Sequence, residues 1–277
     1  NKISSRIIDI KKLRSLSKKI KTKVDEDIKK IISKRKFLNK KKYILMGVLN
    51  MTPDSFSDGG EFNSNSKALI QITKMIESGA DIIDIGGEST RPGSKIISPK
   101  IEWERISRVI KKFKKKFPKV LLSVDTRKSS VIKNAINNKV DIINDVSCFK
   151  FDKKIYKEIK DKNLWKVIHH MQGTPQTMQI NPKYNHVLLD IYDFFEKEIN
   201  KLKKDTYSNK IILDPGIGFG KNLKHNLMIF NKISIFHSLG FPVLIGPSRK
   251  KFINQISKNF DTKERLGGTL SSILFSL

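Results

Sequence analysis

Seven short apolar runs along this 277-residue chain each end on side chains that can donate, accept or carry charge. After residues 43–49 come Asn50, Thr52, Asp54 and Ser55; after 80–85 come Glu88, Thr90 and Arg91; after 120–124 come Asp125 and Arg127. The run 140–143 is followed by Asn144 and Asp145, 164–168 by His169, His170 and Gln172, 210–213 by Asp214 and a glycine-rich loop, and 242–245 by Ser248, Arg249 and Lys250. In a parallel α/β barrel the loops after the strand C-termini form the active face, so these are the side chains an enzyme built that way would use. Loops are polar in any protein, and Asp125 or Asn144 alone would say little. Seven runs ending alike is a pattern.

The elements that must position them follow from the rhythm between the runs. Each apolar run leads through a polar or glycine-rich loop into a stretch of helical period, which predicts strands alternating with helices near 66–78, 99–116, 128–138, 152–162, 186–204, 222–238 and 250–276, the last one broken. Gly79 and Gly240 fall where helices need a left-handed terminator, and Asp261 to Glu264 has capping-box spacing, so a helix should restart there. Seven such units predict an eight-stranded (β/α)8 barrel, the TIM barrel, with the eighth βα unit missing. An open doubly wound sheet fits less well, because no GxGxxG follows the first run. Residues 1–42 form a basic lead-in with Ile7, Ile10, Leu13, Leu16 and Ile20 at helical spacing, and 43–277 form the barrel. The chain starts at Asn1 and stops at Leu277 inside a helical pattern, so it reads as a fragment continuing into an eighth strand.

Composition narrows the partners. The net charge of +29 would suit a polyanion, but 17 Lys or Arg against 4 Asp or Glu sit in residues 1–42, and the remainder is scattered over helix surfaces. Without a zinc finger, helix-turn-helix or aromatic RNA-binding motif, a nucleic-acid partner is not expected. No apolar run is long enough to span a bilayer, so no membrane role is expected either. The single cysteine, Cys148, permits no internal disulfide and reads as a core thiol, in keeping with a cytoplasmic protein.

Two long segments resemble the signatures of the dihydropteroate synthases: Met46-Gly-Val-Leu-Asn-Met-Thr-Pro-Asp-Ser-Phe-Ser-Asp-Gly-Gly60 and Asp84-Ile-Gly-Gly-Glu-Ser-Thr-Arg-Pro-Gly93. The likeness continues in order through Ser123-Val-Asp-Thr126, Ile143-Asn-Asp145, His170-Met-Gln-Gly-Thr-Pro175, Asp214-Pro-Gly-Ile-Gly-Phe-Gly-Lys221 and Ser248-Arg-Lys250. It implies a magnesium-assisted condensation of a pterin pyrophosphate with 4-aminobenzoate, both small molecules, in a homodimer when full length. It implies Asp214 as acceptor for the guanine-like donor edge of the pterin, with Asp125, Asn144 and Lys250 around the ring and Phe219 in apolar contact. Asn50 matches the magnesium-linked residue, Thr90 and Arg91 the second loop, and Ser248 the substrate-binding turn; Lys250, Arg91 and Asp125 are the expected catalytic set. His169 and His170 are read as packing or loop support. The chain departs from the family at Lys251, where a serine often stands, and in lacking the Arg-x-His strand. The rival within pterin-binding barrels is a corrinoid-linked methyltransferase domain; the rival from another class is a basic binding module built on residues 1–42.

Overall fold

The computed structural model describes residues 17–32, 43–52, 60–89, 94–258 and 265–276. Strands β1 (Met46–Asn50), β2 (Ile82–Gly86), β3 (Leu121–Asp125), β4 (Ile142–Asp145), β5 (Trp165–His169) and β6 (Ile211–Asp214) form one parallel sheet in chain order. Helices α2 (Gly60–Glu77), α3 (Pro99–Lys116), α4 (Ser129–Asn137), α5 (Ile155–Ile159) and α6 (Val187–Leu202) make the crossovers between successive strands. After β6 come α7 (Leu223–Asn231), a 3₁₀ helix (Ile233–Leu239), α8 (Lys251–Ser257) and α9 (Leu266–Ser276).

The local chemistry of these helices is visible in the sequence. Ser98 caps α3, accepting from the Ile101 amide, and Pro99 fills the first turn where no N–H is needed. Asn222 and His225 close a reciprocal capping box on α7. Gly79 and Gly240 both adopt positive φ, 101° and 94°, and end their helices as expected. The 222–238 stretch divides into α7 and the 3₁₀ turn, and the 152–162 stretch shortens to α5, with Asp161 at φ 54° just beyond its end. The capping-box residues 261–264 lie outside the described residues.

Three apolar clusters hold the sheet. The outer faces of β1 to β4 pack on α2 to α5 through Ile83, Ile85, Leu122, Val124, Ile110 and Phe113. Those of β5 and β6 pack on the later helices through Ile168, Leu213, Phe195 and Phe236. Inside the curve of the sheet, Ile82, Ile142, Val167 and Ile212 form a plug with Met46, Leu121, Trp165 and Leu244. The seventh run differs from expectation: it is a single parallel bridge, Leu213 to Val243, with hydrogen bonds of 2.9 Å from the Leu213 amide to Pro242 and 2.8 Å from the Leu244 amide to Leu213. Pro242 has no N–H to give, and no eighth strand lies beyond it among the described residues. From the lead-in, α1 (Lys18–Ile32) lies against the 3₁₀ helix; residues 1–16 and 33–42 fall outside the described set.

Candidate active site

Side chains alternate across a strand, so whatever follows the apolar plug by two residues faces the same interior. Ile82 is followed by Asp84 and Gly86, Leu121 by Ser123 and Asp125, Ile142 by Asn144, Val167 by His169, and Ile212 by Asp214. The interior therefore turns from apolar to polar within one layer on five neighbouring strands. The register sets Asn50, Gly86, Asp125 and Asn144 side by side across four strands, and His169 beside Asp214 across the next two. Gly86 keeps the row open: a Cβ there would lie 3.5 Å from the Asp125 Cβ and 3.6 Å from the Asn50 Oδ1.

The carboxyls of this layer are pushed in opposite directions. Burial drives Asp125 well above the ordinary carboxylate range, and the charges of Asp84 and Asp145 add to it. Asp84 also rises, because burial outweighs its hydrogen bonds; one of these is the 3.2 Å bond from Asn144 Nδ2. Asp214 is equally enclosed, yet burial loses there to the His169 ring, the Gly216 amide and Lys250, and its pKa is lowered. His169 Nδ1 stands 3.1 Å from Asp214 Oδ2 and the Gly216 amide donates to Oδ1 at 2.7 Å. The layer thus offers one secured carboxylate acceptor and two carboxyls that burial shifts upward. Asn144 Oδ1 is buried with no hydrogen-bond partner among the described residues, an acceptor available to a ligand donor.

Lys250 approaches from the turn before α8. Its ammonium sits 3.9 Å from the centroid of the half-buried Phe219 ring, and burial lowers its pKa to about 8 against the pull of Asp214. Phe219 in turn meets His169 edge-on at 4.8 Å. The structure thus brings together Asp125, Asn144, Asp214, Phe219 and Lys250, with Asn50 exposed at the rim. It leaves Ser248 exposed in the turn, with no side-chain hydrogen bond to the cluster among the described residues. Thr90 and Arg91 lie outside the described residues, as do Asp54 and Ser55.

The residues that flank that second loop are tied by buried ion pairs. Glu88 accepts from Arg127 Nε at 2.8 Å, from Lys128 Nζ at 2.7 Å and from the Ile97 amide at 3.1 Å, and Lys128 also pairs with Glu102. All four charged side chains are buried. Glu88 and Arg127 thus serve as a clamp between the loops after β2 and β3. The sequence reading missed Asp84 and Lys221 as members of the site's framework. A carboxylate in the apolar stretch Ile-Ile-Asp-Ile was the available signal for Asp84. His169, read as loop support, is the residue that holds Asp214.

Asn50 is an amide oxygen at the end of β1, and no group of three or more His, Cys, Asp or Glu among the described residues could hold a metal. That excludes an all-carboxylate cage among these residues.

Comparison with known proteins agrees with the geometry. The model of the family described as "Pterin binding enzyme" matches residues 46–276. A dihydropteroate synthase of Synechocystis sp. is 40% identical over 230 residues, which is 83% of this chain and 79% of the relative. The solved dihydropteroate synthase of Yersinia pestis, in complex with a sulfonamide drug, superposes with a TM-score of 0.76 at 37% identity, covering 84% of each chain. That of Xanthomonas albilineans with 4-aminobenzoic acid gives 0.77 at 32% identity, covering 84% of this chain and 83% of the other. These neighbours, together with the row of polar side chains at the C-terminal ends of the parallel strands, mean that the chain belongs to the pterin-binding enzymes and, among them, to the dihydropteroate synthases.

Proposed function

We propose that this chain condenses 6-hydroxymethyl-7,8-dihydropterin pyrophosphate with 4-aminobenzoate to give 7,8-dihydropteroate and pyrophosphate, a transferase step of folate synthesis carried out in the cytoplasm. The observation that carries this reading is the layer of Asp125, Asn144 and Asp214 under the Lys250 ammonium. Asp214, kept ionised by His169 and Gly216, accepts from the amino and ring N–H groups of the pterin. Asp125 and Asn144 meet its other polar atoms, and Lys250 donates to the far side of the ring.

In the reaction the arylamine nitrogen forms a bond to the exocyclic carbon, the C–O bond to pyrophosphate breaks, and the amine gives up one proton to solvent. The adjoining π-system shares the positive charge on that carbon, so departure of pyrophosphate runs ahead of amine attack. The protein's part is orientation and stabilisation of the leaving anion. Thr90 and Arg91 are assigned to the departing anion or the benzoate carboxylate, and Ser248 to the substrate turn. Asn50 would help hold a magnesium ion, which when bound neutralises the pyrophosphate.

The test is pyrophosphate release that requires both substrates. Asp214→Ala and Lys250→Ala should each lower kcat/KM at least about a hundredfold, the loss of two or more charge-assisted hydrogen bonds. Turnover that persists without 4-aminobenzoate, or methyl transfer to a corrinoid, would contradict the reading. We assign the active species as a homodimer, supported by an exposed apolar stripe on α9 formed by Leu266, Leu270 and Leu274, which are 56%, 53% and 71% exposed.

A further inference from the structure

Lys221 closes the glycine-rich loop after β6 and is buried, although the reaction gives it nothing to do. Its ammonium has three N–H groups and finds three acceptors: the Phe219 carbonyl at 2.9 Å, the His170 carbonyl at 3.3 Å and His170 Nδ1 at 3.1 Å. Two of these belong to the end of β5 and one to the β6 loop, so a single side chain ties the two strand ends together.

The loop it holds lies unusually close to its neighbours. Gly216, Gly218 and Gly220 all have positive φ, at 68°, 77° and 61°. A Cβ at Gly216 would come within 2.0 Å of the His170 carbonyl oxygen, one at Gly220 within 2.7 Å of the Gln172 carbonyl oxygen, and one at Gly218 within 3.0 Å of Lys250 Cδ. Between these glycines stands Phe219, whose ring is edge-on to His169 and beneath the Lys250 ammonium. His169 holds Asp214, so Phe219 is the piece that joins the acceptor of the site to its cation.

We propose that Lys221 is a positioning residue: its ammonium, tied to the Phe219 and His170 carbonyls, fixes the Phe219 ring between His169 and Lys250 and thereby shapes the pterin-binding end of the site. The groups around it agree with an N–H donor at this point. His170 presents Nδ1 as an acceptor and is held neutral by burial and by Lys221, down to about 2. The Tyr184 ring lies 6.0 Å from the ammonium, while Asp214 raises and Lys250 lowers its pKa. His225, at the start of α7, is lowered by burial and then by Lys221. Burial brings Lys221 itself to about 7.

The proposal rests on the synthase reading, and one experiment separates the two. Binding of 6-hydroxymethylpterin to the full chain is measured by calorimetry for the wild type, Lys221→Met, Phe219→Ala and the double variant. Lys221→Met should weaken binding about tenfold, and about twofold or less when Phe219 is already absent, because coupled residues are not additive. An equal factor in both backgrounds, or unchanged binding in Lys221→Met, overturns the positioning role and leaves the synthase reading standing. Failure of the wild type to bind the pterin overturns the synthase reading itself. Lys221→Gln, which keeps one donor pair, takes the place of Lys221→Met in the cycle if the latter does not fold.

Discussion

Lys250 is held in the chamber at a cost, and the cost sets a pH limit. Burial brings its pKa to about 8 while Asp214 opposes the change, so the ammonium is lost as pH rises through that value. In the synthase, kcat/KM should fall above about pH 8, and Lys250→Met should show a low profile without that limb. An unchanged alkaline limb in Lys250→Met would assign it to another group. His170 acts on stability instead. Its folded pKa is about 2, well below the ordinary value of about 6.5. The unfolded chain therefore takes up a proton below about 6.5 that the folded chain refuses, and this contribution to stability is lost as pH falls, by up to about 1.4 kcal/mol per pH unit. Urea midpoints at pH 7 and pH 5.5 should diverge more for the wild type than for His170→Gln.

Among the elements, the loops after β2 and β3 are joined by buried charge. Glu88 and Glu102 face Arg127 and Lys128, and removing one cation leaves a buried carboxylate unmatched. Lys128→Met should cost on the order of 3–5 kcal/mol, read as a lowered denaturant midpoint with an unchanged slope. Legibility in the sequence divides along similar lines. The six strands and most helices were readable because apolar period, glycine terminators and caps are local signals; α3 spans Pro99–Lys116 as its pattern predicts. The interior positions of Asp125, Asn144 and Asp214 were readable too, since they follow apolar runs. Two things were not. Whether 242–245 pairs fully depends on a neighbour supplied from elsewhere, and period says nothing of that. The work of Lys221 and Asp84 depends on which strands meet, as only the assembled sheet brings His170, Phe219 and Lys221 together.

At the scale of the whole molecule, closure is incomplete among the described residues. Val48, on the inner face of β1, is 57% exposed, because nothing described here pairs with the far edge of that strand. The α9 stripe is a second apolar surface in contact with water. If it is the dimer contact assigned above, Leu270→Asp together with Leu274→Asp should convert the protein to a monomer in sedimentation velocity, with pterin binding retained. A dimer that survives both charges would place the contact on another face.

Because each strand pairs with the one before it in the chain, a polypeptide leaving the ribosome can add one unit after another without waiting for distant partners. The order of arrival is uneven in charge, however. Asp84, Asp125 and Asp145 emerge long before Lys221 and Lys250, so a partly synthesised chain holds crowded acids with no late cations to balance them. Burial in the finished sheet raises those early carboxyls, so the acceptor side of the chamber is laid down first and its cations, Lys221 and Lys250, arrive last.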